Sequence, residues 1–295
     1  MILQQHHSTK PVIEVRSLTR HFAKRKAVDE MSFSIQRGEV CAFLGPNGAG
    51  KTTTIKMMTG LLEPDSGTVL YDNIENRSNR HDLRRLIGVV PQHNNVDKEL
   101  NAVENLKVHG LLYKMRGKAL QRAIDESLEF AGLTEHKHKP ASKLSGGMKR
   151  KLVIARALMH QPKILFLDEP TVGLDPLSRR KMWAFLQKIN KERDCTIFLT
   201  THYIEEAERL SDRVIFIDSG KIITQGTAAS LKQHLGPFVL EIESEEVQHE
   251  FFSNKEHALQ RLTHISHDSI SGRIRDTTLE DVFLHFTGKR LIKNA

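Results

Sequence analysis

Val40-Cys41-Ala42-Phe43-Leu44-Gly45-Pro46-Asn47-Gly48-Ala49-Gly50-Lys51-Thr52 is the stretch that decides the fold of this 295-residue chain. Its first five residues are continuously apolar, as expected of a strand buried on both faces of a mainly parallel sheet. Gly45 to Thr52 then fits G-x-x-x-x-G-K-S/T in full, between that strand and a helix, which is where the motif's chemistry needs it. The loop from Gly45 through Pro46, Asn47, Gly48 and Ala49 to Gly50 can wrap closely around phosphates, because its glycines let main-chain N–H groups turn inward. The following helix start, with Thr53 in its first turn, adds the positive end of a helix dipole. Lys51 supplies a charge for the β- and γ-phosphates, and the Thr52 hydroxyl is placed to coordinate Mg2+. Thr53 to Met58 reads as a helix that ends at Gly60.

Outward from this loop, strands and helices alternate. Val12-Ile13-Glu14-Val15 and Met31-Ser32-Phe33-Ser34-Ile35 alternate like strands, with Arg37-Gly38 as a turn. Lys163 to Leu167 and Thr196 to Thr200 read as further buried strands, and Arg213 to Ile217 as another that ends in the hairpin turn Asp218-Ser219-Gly220-Lys221. Between them, Val103, Leu106, Leu111 and Leu112, then Ile124, Leu128, Phe130 and Leu133, recur near helical spacing. The expected class is α/β: a P-loop NTPase core of mainly parallel sheet with an antiparallel β portion, an inserted helical subdomain and a small C-terminal extension. The expected organisation is a disordered tail over residues 1–11, a nucleotide-binding domain over 12–235 with the helical insert at about 93–160, and an extension over 236–295. In that extension Phe238 to Ile242 reads as a strand, and Thr278-Leu279-Glu280-Asp281 as a capping-box helix start.

Composition removes several classes. No stretch approaches the ~20 continuous apolar residues of a bilayer-spanning helix, and Met1 to Pro11 is polar without an apolar signal core. If the protein acts at a membrane, another chain does the crossing. Cys41 and Cys195 lie far apart in apolar runs, which suits a reduced, cytoplasmic compartment and two plain core residues. Of the sixteen histidines, the pairs His136/His138 and His264/His267 stand out, but neither pair has cysteine or acidic partners at ligand spacing, so they do not read as a metal site. The net charge of +8 comes from scattered basic residues without interleaved aromatics, a solvated basic surface; no nucleic acid is expected as a partner.

Two further elements carry chemistry. Ile164-Leu165-Phe166-Leu167-Asp168-Glu169 is an apolar strand that ends in two acids and brings carboxylates to the sheet edge beside the phosphates. Asp168 would hold Mg2+ and Glu169 would orient and activate the attacking water. The guanine-reading N-K-x-D signature is absent, since Asn190-Lys191 is followed by Glu192-Arg193 and Asn254-Lys255 by Glu256-His257. Leu144-Ser145-Gly146-Gly147-Met148 precedes a long helical run, with Ser145 as a natural N-cap and a glycine pair exposing backbone. Lys149-Arg150-Lys151 in the first turn opposes the helix dipole, which is tolerable if a polyanion docks there. One protein does not need two phosphate-gripping helix starts for one nucleotide, whereas two facing copies do.

With these motifs in order, the chain resembles an ATP-binding cassette (ABC) ATPase. Leu144 to Met148 resembles that family's signature motif and the segment around Asp168 and Glu169 its Walker B motif. Gln92 in Val90-Pro91-Gln92 resembles the Q-loop glutamine, Gly173-Leu174-Asp175 the D-loop, and His202 the switch histidine that contacts the γ-phosphate. Phe22 lies where the family usually has an adenine-stacking tyrosine, and Met148 where many members have glutamine. The resemblance implies ATP and Mg2+ as ligands, with Thr52, Gln92 and Asp168 as the metal set. It implies Glu169, His202, Lys51 and Gln92 as the catalytic residues. Ser145, Gly146 and Gly147 then cap the nucleotide held by a second copy, in a homodimer formed in the ATP state, and Asp175 is implied as a further nucleotide-binding residue. A transmembrane permease is implied as partner, with the chain peripheral on the cytoplasmic face of the cell membrane. Met148 with its following Lys-Arg-Lys, and the closing Leu279 to Leu284 box, resemble the branch that powers type-2 exporters of drugs, polysaccharides or lipids. Two rival readings keep the same core: a soluble ABC ATPase acting on nucleic acid or ribosomes, and a regulatory ATP-binding module without hydrolysis.

Overall fold

The buried apolar runs of the sequence become neighbours in one sheet. In the computed structural model, which describes residues 10–23, 25–76, 81–243, 248–267 and 271–288, the chain begins with β1 (Ile13–Phe22), β2 (Arg25–Ile35), β3 (Val40–Leu44) and α1 (Lys51–Met58). Next come β4 (Ser66–Tyr71), β5 (Ile74–Glu75), α2 (His81–Leu86) and β6 (Ile87–Val90), followed by α3 (Ala102–Leu112), α4 (Gly117–Ala131) and α5 (Gly146–Leu158). The core resumes with β7 (Ile164–Asp168), α6 (Pro176–Arg193), β8 (Thr196–Thr201), α7 (Ile204–Leu210), β9 (Arg213–Asp218) and β10 (Lys221–Gly226). The C-terminal part comprises α8 (Ala228–Leu235), β11 (Phe238–Glu243), β12 (Gln248–Phe252), α9 (Lys255–His267), β13 (Ser271–Asp276) and α10 (Leu279–Thr287). Residues 1–9, the greater part of the expected disordered tail, lie outside the described residues.

The central sheet has the order β10-β9-β3-β8-β7-β6. Its strands are parallel except β10, which returns against β9 through the expected hairpin; Ser219 and Gly220 both take positive φ in that turn, the geometry favoured in two-residue hairpins. Successive side chains of a strand point to opposite faces, and β3 shows both faces covered. Ala42 and Leu44 join the helices' core, while Cys41 and Phe43 join a second core under another sheet. That sheet, of order β2-β1-β4-β5, is antiparallel. Phe33 of β2 lies 5.6 Å from Phe43 and 6.0 Å from Phe198, ring centroid to ring centroid, which joins the two layers.

On the other face, α4 buries Leu120, Ile124, Leu128 and Ala131, spaced as one stripe of a helix. A third, three-stranded antiparallel sheet of order β12-β11-β13 packs α9 on a small core of Leu240, Ile242 and Ile265. Thr278 and Asp281 form the expected reciprocal cap, and α10 returns Leu279, Val282 and Phe283 to the main core, with Phe283 5.7 Å from Phe216. Both cysteines are free and buried. Among the described residues no helix is long and apolar enough to cross a membrane. α1 starts two residues before the run read from sequence, because Lys51 and Thr52 already belong to its first turn.

Candidate active site

Three adjacent parallel strands end together. The register pairs Leu44 with Thr201 and Asp168 with Thr200, so Gly45, Glu169 and His202 all emerge at the carboxyl edge of the sheet, where open α/β sheets bind ligands. The loop after β3 has to be glycine at its tightest points. A Cβ on Gly45 would lie 2.3 Å from the Ile217 carbonyl oxygen, and one on Gly50, whose φ is +106°, 2.4 Å from that of Ala27. As N-cap of α1, Gly50 offers no side chain to the first helical amides, which leaves these donors and the positive end of the dipole facing the loop.

Lys51 folds back over this loop. Its Nζ donates to the carbonyl oxygens of Gly45 at 2.8 Å and Pro46 at 3.0 Å, and lies 3.2 Å from Glu169 Oε1. Burial pulls its pKa below the ordinary lysine value, against the pull of the Glu169 and Asp168 carboxylates.

Glu169 is where the separate motifs meet. Its Oε2 accepts from Gln92 Nε2 at 3.1 Å, and its Oε1 lies 3.3 Å from His202 Nδ1 as well as beside Lys51. Burial works to raise its pKa, but the His202 ring and the Lys51 ammonium outweigh burial and hold the carboxyl below its ordinary range. A carboxylate at neutral pH is the form able to accept a proton from water. The Glu169 backbone has φ 45°, a left-handed conformation that costs a non-glycine residue about 1–3 kcal/mol and clusters at functional sites. Its N–H is held by the Thr200 carbonyl oxygen at 3.1 Å and by Thr200 Oγ1 at 3.0 Å, while Thr200 Oγ1 donates to Asp168 Oδ1 at 2.6 Å.

These groups border a cleft of about 530 Å³ lined by Phe22, Arg25, Ala27, Asn47, Gly48, Gly50, Lys51, Thr52, Thr53, Gln92 and Glu169. Phe22 is 48% exposed, so its ring is accessible at the cleft. Asp168 and His202 reach the site through Thr200 and Glu169. Ser145, Gly146, Gly147 and Asp175 are not among the lining residues. They form a second cluster: Ser145 caps α5 by accepting from the Met148 N–H at 3.2 Å, and Asp175 caps α6 by accepting from the Ser178 N–H at 2.9 Å. Gly147 faces Ser178, with space for no more than 3.4 Å between an added Cβ and Ser178 Oγ. The Ser178 hydrogen bonds hold the Asp175 pKa below its ordinary value.

One expectation fails. Lys149, Arg150 and Lys151 do not form a basic turn for a polyanion. Lys149 Nζ donates to the Ser142 carbonyl oxygen at 3.0 Å, Lys151 Nζ lies 5.4 Å from the Phe185 ring centroid, and Arg150 is 3% exposed and gripped by main-chain carbonyls. The helical rotation of about 100° per residue sends three consecutive side chains to three different surroundings.

Sequence reading does not single out Arg25 or Thr200. Arg25 donates to the Gly48 carbonyl oxygen at 2.6 Å and so braces the loop from β2; no spacing rule marks it. Thr200 has a signal, a hydroxyl at the end of an otherwise apolar strand beside two acids.

Residues 28–172 match the family description "ABC transporter". A Nod factor export ATP-binding protein I from Burkholderia lata is 38% identical over 300 residues, which covers 95% of this chain and 98% of that protein. One from Rhizobium meliloti is 36% identical over 317 residues, covering 98% and 92%. Among solved structures, cbiO1 from Clostridium perfringens, part of the ABC transporter complex cbiONQ, superposes with a TM-score of 0.70 at 28% identity over 88% of this chain and 98% of its own. A dimeric post-hydrolysis state of the ATP-binding cassette MJ0796, bound to ADP and Pi, gives a TM-score of 0.65 at 29% identity over 73% and 98%. The fold, the ordered motifs and near full-length relatives agree: the chain belongs to the ABC transporter family, as an ATP-binding subunit that hydrolyses ATP.

Proposed function

We propose that this chain powers export through a separate membrane permease, by ATP-driven pairing of two copies on the cytoplasmic face of the membrane. The observation that carries the chemistry is the junction at Glu169, where Lys51, Gln92 and His202 converge on one carboxylate at the edge of the sheet. The export direction is supported by the names of the relatives, which are export ATP-binding proteins. The proposed division is an ATPase domain over 12–235, with the helical subdomain at about 93–160, and an extension over 236–295.

In this reading Phe22 stacks on the adenine, residues 45–53 hold the phosphates, and Lys51 exchanges its loop carbonyls for phosphate oxygens. Thr52, Gln92 and Asp168 form an oxygen-donor set that suits a hard divalent cation, and this set would hold Mg2+. When bound, the ion neutralises charge on the transferred phosphoryl group. Glu169 accepts the proton of the attacking water, Gln92 and His202 orient the carboxylate, and His202 is placed to meet the γ-phosphate. Ser145, Gly146, Gly147 and Asp175 do not line the cleft and cluster instead at the starts of α5 and α6, which supports a site completed by a second copy. Glu169→Gln tests the reading: the variant binds ATP, dimerises stably by light scattering, and turns over at least about 100-fold more slowly. Wild-type turnover would sink the base assignment, and an ATP-bound variant that stays monomeric would sink the paired site.

A further inference from the structure

The sequence gives Arg150 no role of its own beyond the Lys-Arg-Lys run, yet the structure spends its whole guanidinium on the two segments that carry Gln92 and Glu169. It is the fifth residue of α5 and only 3% exposed. Its Nε donates to the Pro170 carbonyl oxygen at 2.9 Å. One terminal nitrogen donates to Pro91 at 2.6 Å and Gln92 at 3.1 Å, and the other to Asp168 at 2.9 Å and Glu169 at 3.4 Å. A guanidinium has five N–H donors in a rigid fork, and here all five directions go to main-chain oxygens of two segments.

Those segments are the continuations of β6 and β7. The parallel ladder between these strands ends at Val90 and Leu167, immediately before the residues that Arg150 grips, so the guanidinium takes over where sheet hydrogen bonding stops. It therefore sets the spacing of two peptides whose side chains, Gln92 and Glu169, meet at 3.1 Å. The Glu169 peptide is pinned on both sides: Arg150 holds its carbonyl and Thr200 its N–H. A backbone held at φ 45° persists only where its surroundings over-determine it, and Arg150 is one of those restraints, sharing the Glu169 carbonyl with the Val172 N–H at 3.4 Å. Burial drags the guanidinium pKa down to about 10, with Asp168 and Glu206 opposing the shift, so it stays charged at neutral pH. α5 also begins at the Ser145 cap, so one rigid helix joins the proposed contact to the second copy with both catalytic loops.

We propose that Arg150 is a positioning residue for hydrolysis: it fixes Gln92 and Glu169 relative to each other and ties both to α5. The proposal rests on the roles given above to Gln92 and Glu169. Lysine at 150 keeps the charge but offers a single point of donation and cannot span both segments, and methionine keeps the bulk alone. The test compares R150K, R150M, Q92A and the double variant R150M/Q92A in steady-state ATP hydrolysis, with folding followed by circular dichroism. The expected result is a fall in kcat of roughly 10- to 100-fold in both Arg150 variants with KM changed less than about threefold, the pattern of misplaced groups rather than lost binding. Q92A should then cost clearly less on top of R150M than it does alone, because part of its effect is the alignment that Arg150 supplies. The proposal is overturned by kcat within about threefold of wild type, by a parallel loss of KM, or by multiplicative effects in the double variant. Failure of both R150K and R150M to fold also overturns it, since the residue would then be purely architectural. The Glu169→Gln control separates the two failures. Full activity there removes the underlying reading, whereas an inactive Glu169→Gln beside fully active Arg150 variants removes only the role of Arg150.

Discussion

Replacing Thr200 with valine should cost more than its size suggests. The side chain is fully buried in β8, and its Oγ1 both donates to Asp168 Oδ1 at 2.6 Å and accepts from the Glu169 N–H at 3.0 Å. Valine keeps the shape and the strand preference and removes only the hydroxyl. The hydrogen bond to a charged, buried acceptor is worth about 1.5–3 kcal/mol. The Glu169 N–H keeps the Thr200 carbonyl oxygen at 3.1 Å, so its loss adds little. The total is about 2–3 kcal/mol, or a fall in Tm of roughly 4–12 °C for a domain of this size. Serine keeps the hydroxyl and loses one buried methyl, about 1 kcal/mol. Scanning calorimetry of the three proteins reads these shifts, and ATP turnover should fall in the valine variant because Asp168 loses its restraint. A valine shift below about 2 °C, or a serine shift equal to that of valine, would refute the reasoning.

Two further outcomes follow from the geometry. Phe22→Ala should raise KM for ATP roughly tenfold, with kcat little changed, since a base–aromatic stack is worth about 1–3 kcal/mol; Phe22→Tyr should behave as wild type, and an unchanged KM in the alanine variant would remove Phe22 from the nucleotide site. In the C-terminal sheet, Glu241 feels burial, but hydrogen bonds from Arg273 and Arg275 dominate and set its pKa at about 2 against an ordinary 4.5. A carboxylate whose folded pKa is depressed contributes stability above its unfolded value and loses it as pH falls through the folded one. The Tm gap between wild type and Glu241→Gln should therefore be full near neutral pH and close between about pH 4.5 and 2; a gap independent of pH would contradict the ion-pair origin.

Much of this molecule is local enough to be read along the chain. The strands β3, β7 and β8 announce themselves as short continuous apolar runs, because both faces of the sheet are covered. The hairpin at Ser219-Gly220 and the cap at Thr278 are likewise local, since each depends on residues within one turn. Phe22 and Arg25 show the limit. Both line the cleft, but only Phe22 is placed by the order of motifs; Arg25 gains its role because its side chain, at the start of β2, reaches the Gly48 carbonyl oxygen. The basic trio at 149–151 shows the opposite error, since charge density along a helix says nothing about which side of it is buried.

The sequence by itself determined the glycine-rich loop after β3, the acid pair at the end of β7 and the order of motifs that marks the family, because each depends on residue types at fixed short spacings. Only the tertiary structure decided that Lys51, Gln92 and His202 converge on Glu169, and that Ser145 and Asp175 cap α5 and α6 without lining that cleft. It also showed Arg150, an apparent surface charge, to be buried and bonded to the main chain at the ends of β6 and β7. The physical reason is register: the pairing of β3, β8, β7 and β6 brings residues from distant parts of the chain to one sheet edge, and no local pattern encodes which strand lies beside which.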